Sequence, residues 1–121
     1  MKVLIVNEDE KITDLLNQYL LKFYDVTIFS CPIKALVHYA TYCEYDIVFS
    51  DYQSAKLAMN EFIDQVLLIN PKQKFILNSA SMNNRLFDLA NKYEDNIYMC
   101  DLPAEKEIFK ALCGSIVDSN K

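Results

Sequence analysis

Short runs of consecutive apolar residues recur along the chain, and each run ends in polar residues. Five such runs are present, at 3–6, 26–29, 47–49, 75–77 and 97–99. Apolar runs of this length that are rich in β-branched and aromatic residues are typical of strands buried on both faces of a parallel sheet. The pattern therefore predicts five strands, the last of them the weakest.

Between these runs, apolar residues recur at helical spacing. Ile12, Leu16, Leu20 and Phe23 mark an amphipathic helix of about 13 residues. The same spacing predicts four more helices, around Ala35 and Tyr39, around Phe62 and Val66, around Leu86 and Leu89, and around Leu112 and Ile116. Strands that alternate with helices predict an α/β fold, with a doubly wound parallel sheet between two helical layers. We expect residues 1–121 to form one domain.

Composition narrows the classes of function. The chain has 121 residues, 52% of them hydrophobic, so it can bury a substantial core. Its one glycine, Gly114, excludes the glycine-rich phosphate loops and dinucleotide fingerprints, which need several glycines. The net charge of -5 provides no basic surface for nucleic acid or anionic membranes.

The four cysteines show neither a paired redox motif nor zinc-ligand spacing. We therefore expect Cys31, Cys43, Cys100 and Cys113 to be reduced and mostly buried. No apolar run approaches the roughly 18 residues that a membrane helix needs. These features predict a cytoplasmic protein that binds neither membrane nor nucleic acid directly.

Polar residues follow three of the predicted strands and are the candidates for chemistry. Glu8 and Asp9 follow the first strand, Asp51 follows the third, and Ser79 follows the fourth. Carboxylates that converge at one edge of a sheet repel one another unless a cation lies between them, and Mg²⁺ prefers such oxygen ligands. A carboxylate can also act as a nucleophile and form an aspartyl-phosphate. The alternative is structural, because acidic residues after a strand commonly cap the next helix and serine is common in turns.

Three segments, together with the region that ends at Pro103, resemble the receiver domain of bacterial two-component response regulators over essentially the whole chain. Residues 3–9 resemble its first strand and acidic pair, 45–51 the segment that leads to its phosphoacceptor aspartate, and 75–80 the strand that bears its switch hydroxyl. The resemblance implies a flavodoxin-like fold with five helices and five strands in the order 2-1-3-4-5.

The resemblance also implies roles for individual residues. Asp51 would be the phosphoacceptor, and Mg²⁺ would be held by Glu8, Asp51 and the backbone carbonyl of Gln53, with Asp9 as a further candidate ligand. Ser79 would be the hydroxyl that follows the phosphoryl group.

Tyr98 is the candidate for the family's aromatic switch residue, with an ordinary half-exposed strand position as the alternative. Leu102 stands where the family usually has a lysine before the proline, and Lys56 or Lys106 are candidates to replace that charge. Asn7 occupies the first acidic position.

Two main hypotheses follow. In the first, a sensor histidine kinase or phosphotransfer protein phosphorylates Asp51, and the modified domain then binds an output protein or domain, or a second copy of itself. In the second, the chain is a pseudo-receiver that binds partner proteins without phosphorylation, as the missing lysine, Asn7 and a loop at 52–59 without proline or glycine suggest. We expect no enzymatic activity beyond self-phosphorylation and dephosphorylation at Asp51. A phosphohydrolase is disfavoured because Gln53 stands where such chemistry wants a second aspartate.

Overall fold

A computed structural model describes residues 2–51, 57–78, 83–101 and 105–119. The strands are β1 (Lys2–Asn7), β2 (Asp25–Phe29), β3 (Ile47–Asp51), β4 (Phe75–Asn78) and β5 (Ile97–Cys100). The helices are α1 (Glu10–Leu20), α2 (Pro32–Thr41), α3 (Met59–Ile69), α4 (Asn84–Lys92) and α5 (Lys106–Ser119). In the described part of the chain, no helix is long and apolar enough to cross a membrane.

The five strands form one parallel sheet in the order β2-β1-β3-β4-β5. This is the order that the resemblance implied. The central strands β1, β3 and β4 are buried along almost their whole length, which explains their continuous apolar runs.

Two hydrophobic clusters lie on opposite faces of the sheet because successive side chains of a strand point to opposite faces. One cluster joins Leu4, Val48 and Leu77 to α2, α3 and α4. The other joins Ile5, Phe49 and Ile76 to α1 and α5. A single sheet thus organises two apolar cores.

The first helix is shorter than its apolar pattern predicts. It ends at Leu20, and Phe23 lies beyond it with 58% of its surface exposed. The Lys110 ammonium lies over the Phe23 ring, 4.3 Å from its centroid. The predicted extension of the helix to Phe23 is therefore wrong. Phe23 continues the helical spacing of apolar residues, but it lies after the end of α1 and does not join the core.

All four cysteines are free thiols. Cys100 and Cys113 are buried, whereas Cys31 and Cys43 are half-buried. The expectation of mostly buried thiols therefore holds for two of them.

A buried polar network lies beneath α2. The Tyr39 hydroxyl donates a hydrogen bond to Gln73 Oε1 at 2.5 Å, and Gln73 Nε2 donates to the carbonyl oxygen of Lys74 at 3.0 Å. Asn70 Nδ2 lies 3.4 Å from the Tyr39 hydroxyl oxygen. Burial raises the pKa of Tyr39 to about 12, and the hydrogen bond from Asn70 opposes part of that rise.

We expect Tyr39→Phe to lower the free energy of unfolding by about 1–3 kcal/mol, because Gln73 Oε1 would remain buried without its donor. Since the fold favours the neutral phenol, this contribution is complete below pH 10.0 and is lost as pH rises towards about 12. Urea denaturation at several pH values measures both effects as the difference between wild type and variant. Tyr42→Phe, at an exposed position, is the matched control, and equal losses in both variants would contradict the role of the network.

Candidate functional site

Polar residues terminate the three central strands at one edge of the sheet. β1 ends at Asn7, β3 at Asp51 and β4 at Asn78. Asn7 on β1 is paired with Asp51 on β3 in the parallel register. Ser50 is paired with Leu77, so the next residues along β3 and β4, Asp51 and Asn78, are also neighbours. We call these three residues the Asp51 edge. They continue the face of the sheet that α1 and α5 cover, because they alternate in step with Ile5, Phe49 and Ile76.

Asp51 is half-buried and its carboxylate is oriented by the neighbouring strand. Asn78 Nδ2 donates a hydrogen bond to Asp51 Oδ2 at 3.1 Å. Asn78 itself is 5% exposed, so the surrounding core restricts its position. An amide donor from a buried side chain offsets part of the negative charge on the carboxylate and fixes its plane.

Asn7 lies on the other side of Asp51 and is 4% exposed. Its Oδ1 accepts a hydrogen bond from the backbone N–H of Asp9 at 2.9 Å. Its Nδ2 is buried and makes no hydrogen bond with any residue that the structure describes. The Asp51 edge therefore contains a carboxylate between two primary amides.

Glu8 and Asp9 have different surroundings. The Asp9 carboxylate caps α1, because Oδ1 accepts hydrogen bonds from the backbone N–H groups of Lys11 at 2.9 Å and Ile12 at 3.4 Å. Glu8 is exposed directly after β1. The capping alternative thus describes Asp9.

Magnesium is the metal that the carboxylates near this edge were predicted to hold. Within residues 2–51, 57–78, 83–101 and 105–119, no group of three or more acidic, histidine or cysteine side chains could hold a metal. Mg²⁺, however, keeps several water ligands and often takes only one or two carboxylates from the protein. Glu8 directly follows β1, and Asp51 ends the adjacent strand β3.

The remaining predicted residues fall into two groups. Gln53, Lys56, Ser79 and Leu102 lie outside the described residues. Among the described ones, Tyr98 on β5 is half-buried against the cluster beneath α1 and α5. Lys106 is exposed at the first position of α5.

The hydrogen bond between Asn78 and Asp51 is the feature that the sequence did not predict. The pattern places Asn78 at a strand end but assigns it no partner. A signal was available, because an amide at the last buried position of a central strand needs a hydrogen-bond partner from a neighbouring strand. The register of β3 and β4 was needed to identify that partner as Asp51.

Several solved structures with the same fold are described as receiver domains. A CheY-like receiver domain protein from Methanospirillum hungatei matches with a TM-score of 0.83 and 15% identity, covering 98% of this chain and 94% of that one. The chemotaxis protein CheY4 from Vibrio cholerae matches with a TM-score of 0.79 and 16% identity, covering 95% of this chain and 97% of that one. The receiver domain of a sensor histidine kinase from Pseudomonas aeruginosa, with a magnesium ion coordinated in its active site cleft, has a TM-score of 0.79 and 14% identity, with 97% of each chain covered.

No model of a protein family matches the chain, and the comparison with curated proteins gives no match. At 14–16% sequence identity, the similarity to these solved structures shows a shared fold. The chain has the flavodoxin-like fold of receiver domains, which confirms the predicted fold class and, at the level of the fold, the resemblance to receivers.

Mutation can distinguish the two roles considered for Asp9, a cap of helix α1 and a ligand of Mg²⁺. Asp9→Ala should lower the free energy of unfolding by about 1 kcal/mol, the usual cost of a lost N-cap. Asp9→Ser keeps a capping oxygen but removes the charge, so it should preserve most of the stability. Urea denaturation measures the free energy of unfolding, and Mg²⁺ titration followed by NMR measures metal binding.

Asn83→Ala is the matched control, because Asn83 caps α4 in the same way, through a hydrogen bond from the Leu86 N–H. If Asp9→Ser abolished Mg²⁺ binding while the fold remained stable, Asp9 would be a metal ligand as well as a cap.

Proposed function

We propose that this chain is a receiver domain of two-component signal transduction that accepts a phosphoryl group on Asp51, with residues 1–121 as one receiver-like domain. The observation that carries the proposal is the position of Asp51. It is a half-buried carboxylate at the carboxyl end of a central strand, oriented by Asn78, in a fold shared with receiver domains. In doubly wound sheets, this end of the strands is where ligands bind.

The chemistry is a phosphoryl transfer to a carboxylate oxygen. An oxygen of Asp51 forms a bond to phosphorus as the bond between phosphorus and the donor's imidazole nitrogen breaks. That nitrogen retains the electron pair and takes up a proton. Asn78 contributes by holding the carboxylate in one orientation, which lowers the entropic cost of reaching the transition state.

Magnesium is part of the proposal. Glu8, Asp51 and the backbone carbonyl of Gln53 would hold the ion, and a bound Mg²⁺ supplies positive charge against the phosphoryl oxygens. The magnesium in the Pseudomonas aeruginosa receiver domain supports this assignment by analogy of fold. Ser79 and Tyr98 are proposed as the residues whose positions respond to phosphorylation.

The proposed partners follow from this chemistry. A sensor histidine kinase or phosphotransfer protein donates the phosphoryl group, and an output protein, an output domain or a second copy of the chain receives the signal. The protein would act in the cytoplasm, with no catalytic activity beyond self-phosphorylation and dephosphorylation at Asp51.

A second candidate function is a pseudo-receiver that binds partners independently of phosphorylation. The observation that favours it is Asn7, a neutral amide that stands beside Asp51 in the first acidic position of the resemblance. One fewer carboxylate weakens the attraction for a divalent cation at this edge.

Acetyl phosphate with Mg²⁺ should add one phosphoryl group to the wild-type protein, because the small donor replaces the kinase. Intact-protein mass spectrometry measures the product, and Asp51→Asn should abolish it. Asp88→Asn, an exposed aspartate on α4, is the matched control and should leave phosphorylation unchanged.

Failure of the wild-type protein to be labelled by acetyl phosphate or to bind beryllofluoride would overturn phosphorylation at Asp51. The pseudo-receiver then predicts that Asp51→Asn preserves function in cells. A phenotype as severe as deletion of the gene would contradict that alternative.

A further inference from the structure

The side-chain amide of Asn7 has a fixed orientation. Only its oxygen can accept the hydrogen bond that the Asp9 backbone N–H donates at 2.9 Å. The oxygen thus faces the Asp9 N–H, and the nitrogen occupies the other position of the amide. The usual ambiguity between amide oxygen and nitrogen does not arise here.

That nitrogen is a buried donor without an acceptor among the described residues. Buried donors are nearly always paired in folded proteins, so an orphaned one calls for a partner such as a water, an ion or a ligand. Asn7 is 4% exposed, and its oxygen is held by the start of α1. The core therefore restricts the orientation of this amide.

The position of Asn7 identifies where that acceptor would lie. Asn7 and Asp51 are paired neighbours on adjacent parallel strands, so their side chains lie on the same face of the sheet. Asn78 approaches Asp51 from the other neighbouring strand and already donates to Oδ2. The two amides therefore flank Asp51, and one of them has an unused donor.

We propose that Asn7 is an anion-binding residue, whose Nδ2–H donates to an oxygen of the phosphoryl group carried by Asp51. This inference rests on the proposed phosphorylation of Asp51 and assigns Asn7 a role opposite to that of a metal ligand. An N–H group cannot coordinate a cation, whereas it can stabilise a phosphoryl oxygen. Glu8 and Asp51 then remain the carboxylates available for a cation.

The test compares wild type with Asn7→Ser, using beryllofluoride as the probe for the phosphoryl group and Mg²⁺ alone as the probe for the metal. Serine keeps an oxygen that can accept the Asp9 N–H bond but has no amide N–H. The variant should bind beryllofluoride at least about ten-fold more weakly at saturating Mg²⁺, the loss expected for one hydrogen bond to a charged group. Its affinity for Mg²⁺ alone should stay within about two-fold of wild type, because no metal ligand is removed.

NMR supplies a readout that does not depend on affinity. The side-chain amide protons of Asn7 in the wild-type protein should shift downfield and exchange more slowly when beryllofluoride binds. Asn91→Ser, at an exposed position of α4, is the control for loss of an amide elsewhere. Thermal unfolding of each variant checks that the fold is intact.

Each outcome decides the proposal. Equal beryllofluoride affinity in wild type and Asn7→Ser, with unshifted Asn7 amide protons, would overturn the anion-binding role and leave phosphorylation of Asp51 standing. A parallel loss of Mg²⁺ affinity would instead make Asn7 a metal ligand through its oxygen and would also overturn the inference. If the wild-type protein binds no beryllofluoride, or if Asp51→Asn binds it equally well, the proposed function fails and this inference fails with it.

Discussion

Burial of the three central strands on both faces is the constraint on which the rest of the structure depends. β1, β3 and β4 lie between two helical layers, so each must be apolar as far as the helices cover it. Their backbone groups pair with one another along the parallel ladders. Buried or half-buried polar side chains enter these strands only near their carboxyl ends, where Asn7, Ser50, Asp51 and Asn78 stand. The site is therefore a consequence of how the core is closed.

Much of the fold could be predicted from the sequence because burial on two faces leaves a strong pattern. The apolar runs located all five strands, and the order of the strands followed from the resemblance to receiver domains. The end of α1 was predicted less well, since Phe23 continues the helical spacing although the helix stops at Leu20. Spacing reports which residues share a face, but the end of a helix depends on local backbone contacts that spacing does not encode.

The candidate site was predictable in its residues but not in its hydrogen bonds. Glu8, Asp9 and Asp51 were all recognised as strand-end acids, yet only the structure assigns Asp9 to the helix cap. The bond from Asn78 to Asp51 depends on the register of two strands that lie 27 positions apart in the chain. Contacts of this kind are invisible to local patterns, because they arise from tertiary pairing.

The two amides also bear on the choice between a phosphoacceptor and a pseudo-receiver. A third carboxylate in place of Asn7 would attract a cation more strongly, but it would repel the phosphoryl group that Asp51 is proposed to receive. Neutral donors avoid that repulsion, and they do so in a chain whose net charge of -5 already disfavours anions. Under the proposed phosphorylation of Asp51, a neutral amide at this position would therefore lower the affinity for the cation and raise the affinity for the anion.

The hydrogen bond between Asn78 and Asp51 also connects the Asp51 edge to β5, the outermost strand on that side of the sheet. Asn78 is paired with Cys100, the last residue of β5, through the parallel register of β4 and β5. A phosphoryl group on Asp51 would compete for the amide that now binds the carboxylate, and Asn78 is too deeply buried to follow it without adjusting its own strand end. Because packed cores resist continuous deformation, such an adjustment would be passed to the end of β5 and to Asp101 beyond it. Under the proposed phosphorylation, Asn78 would both orient the Asp51 carboxylate and be the first neighbour to change its hydrogen bond.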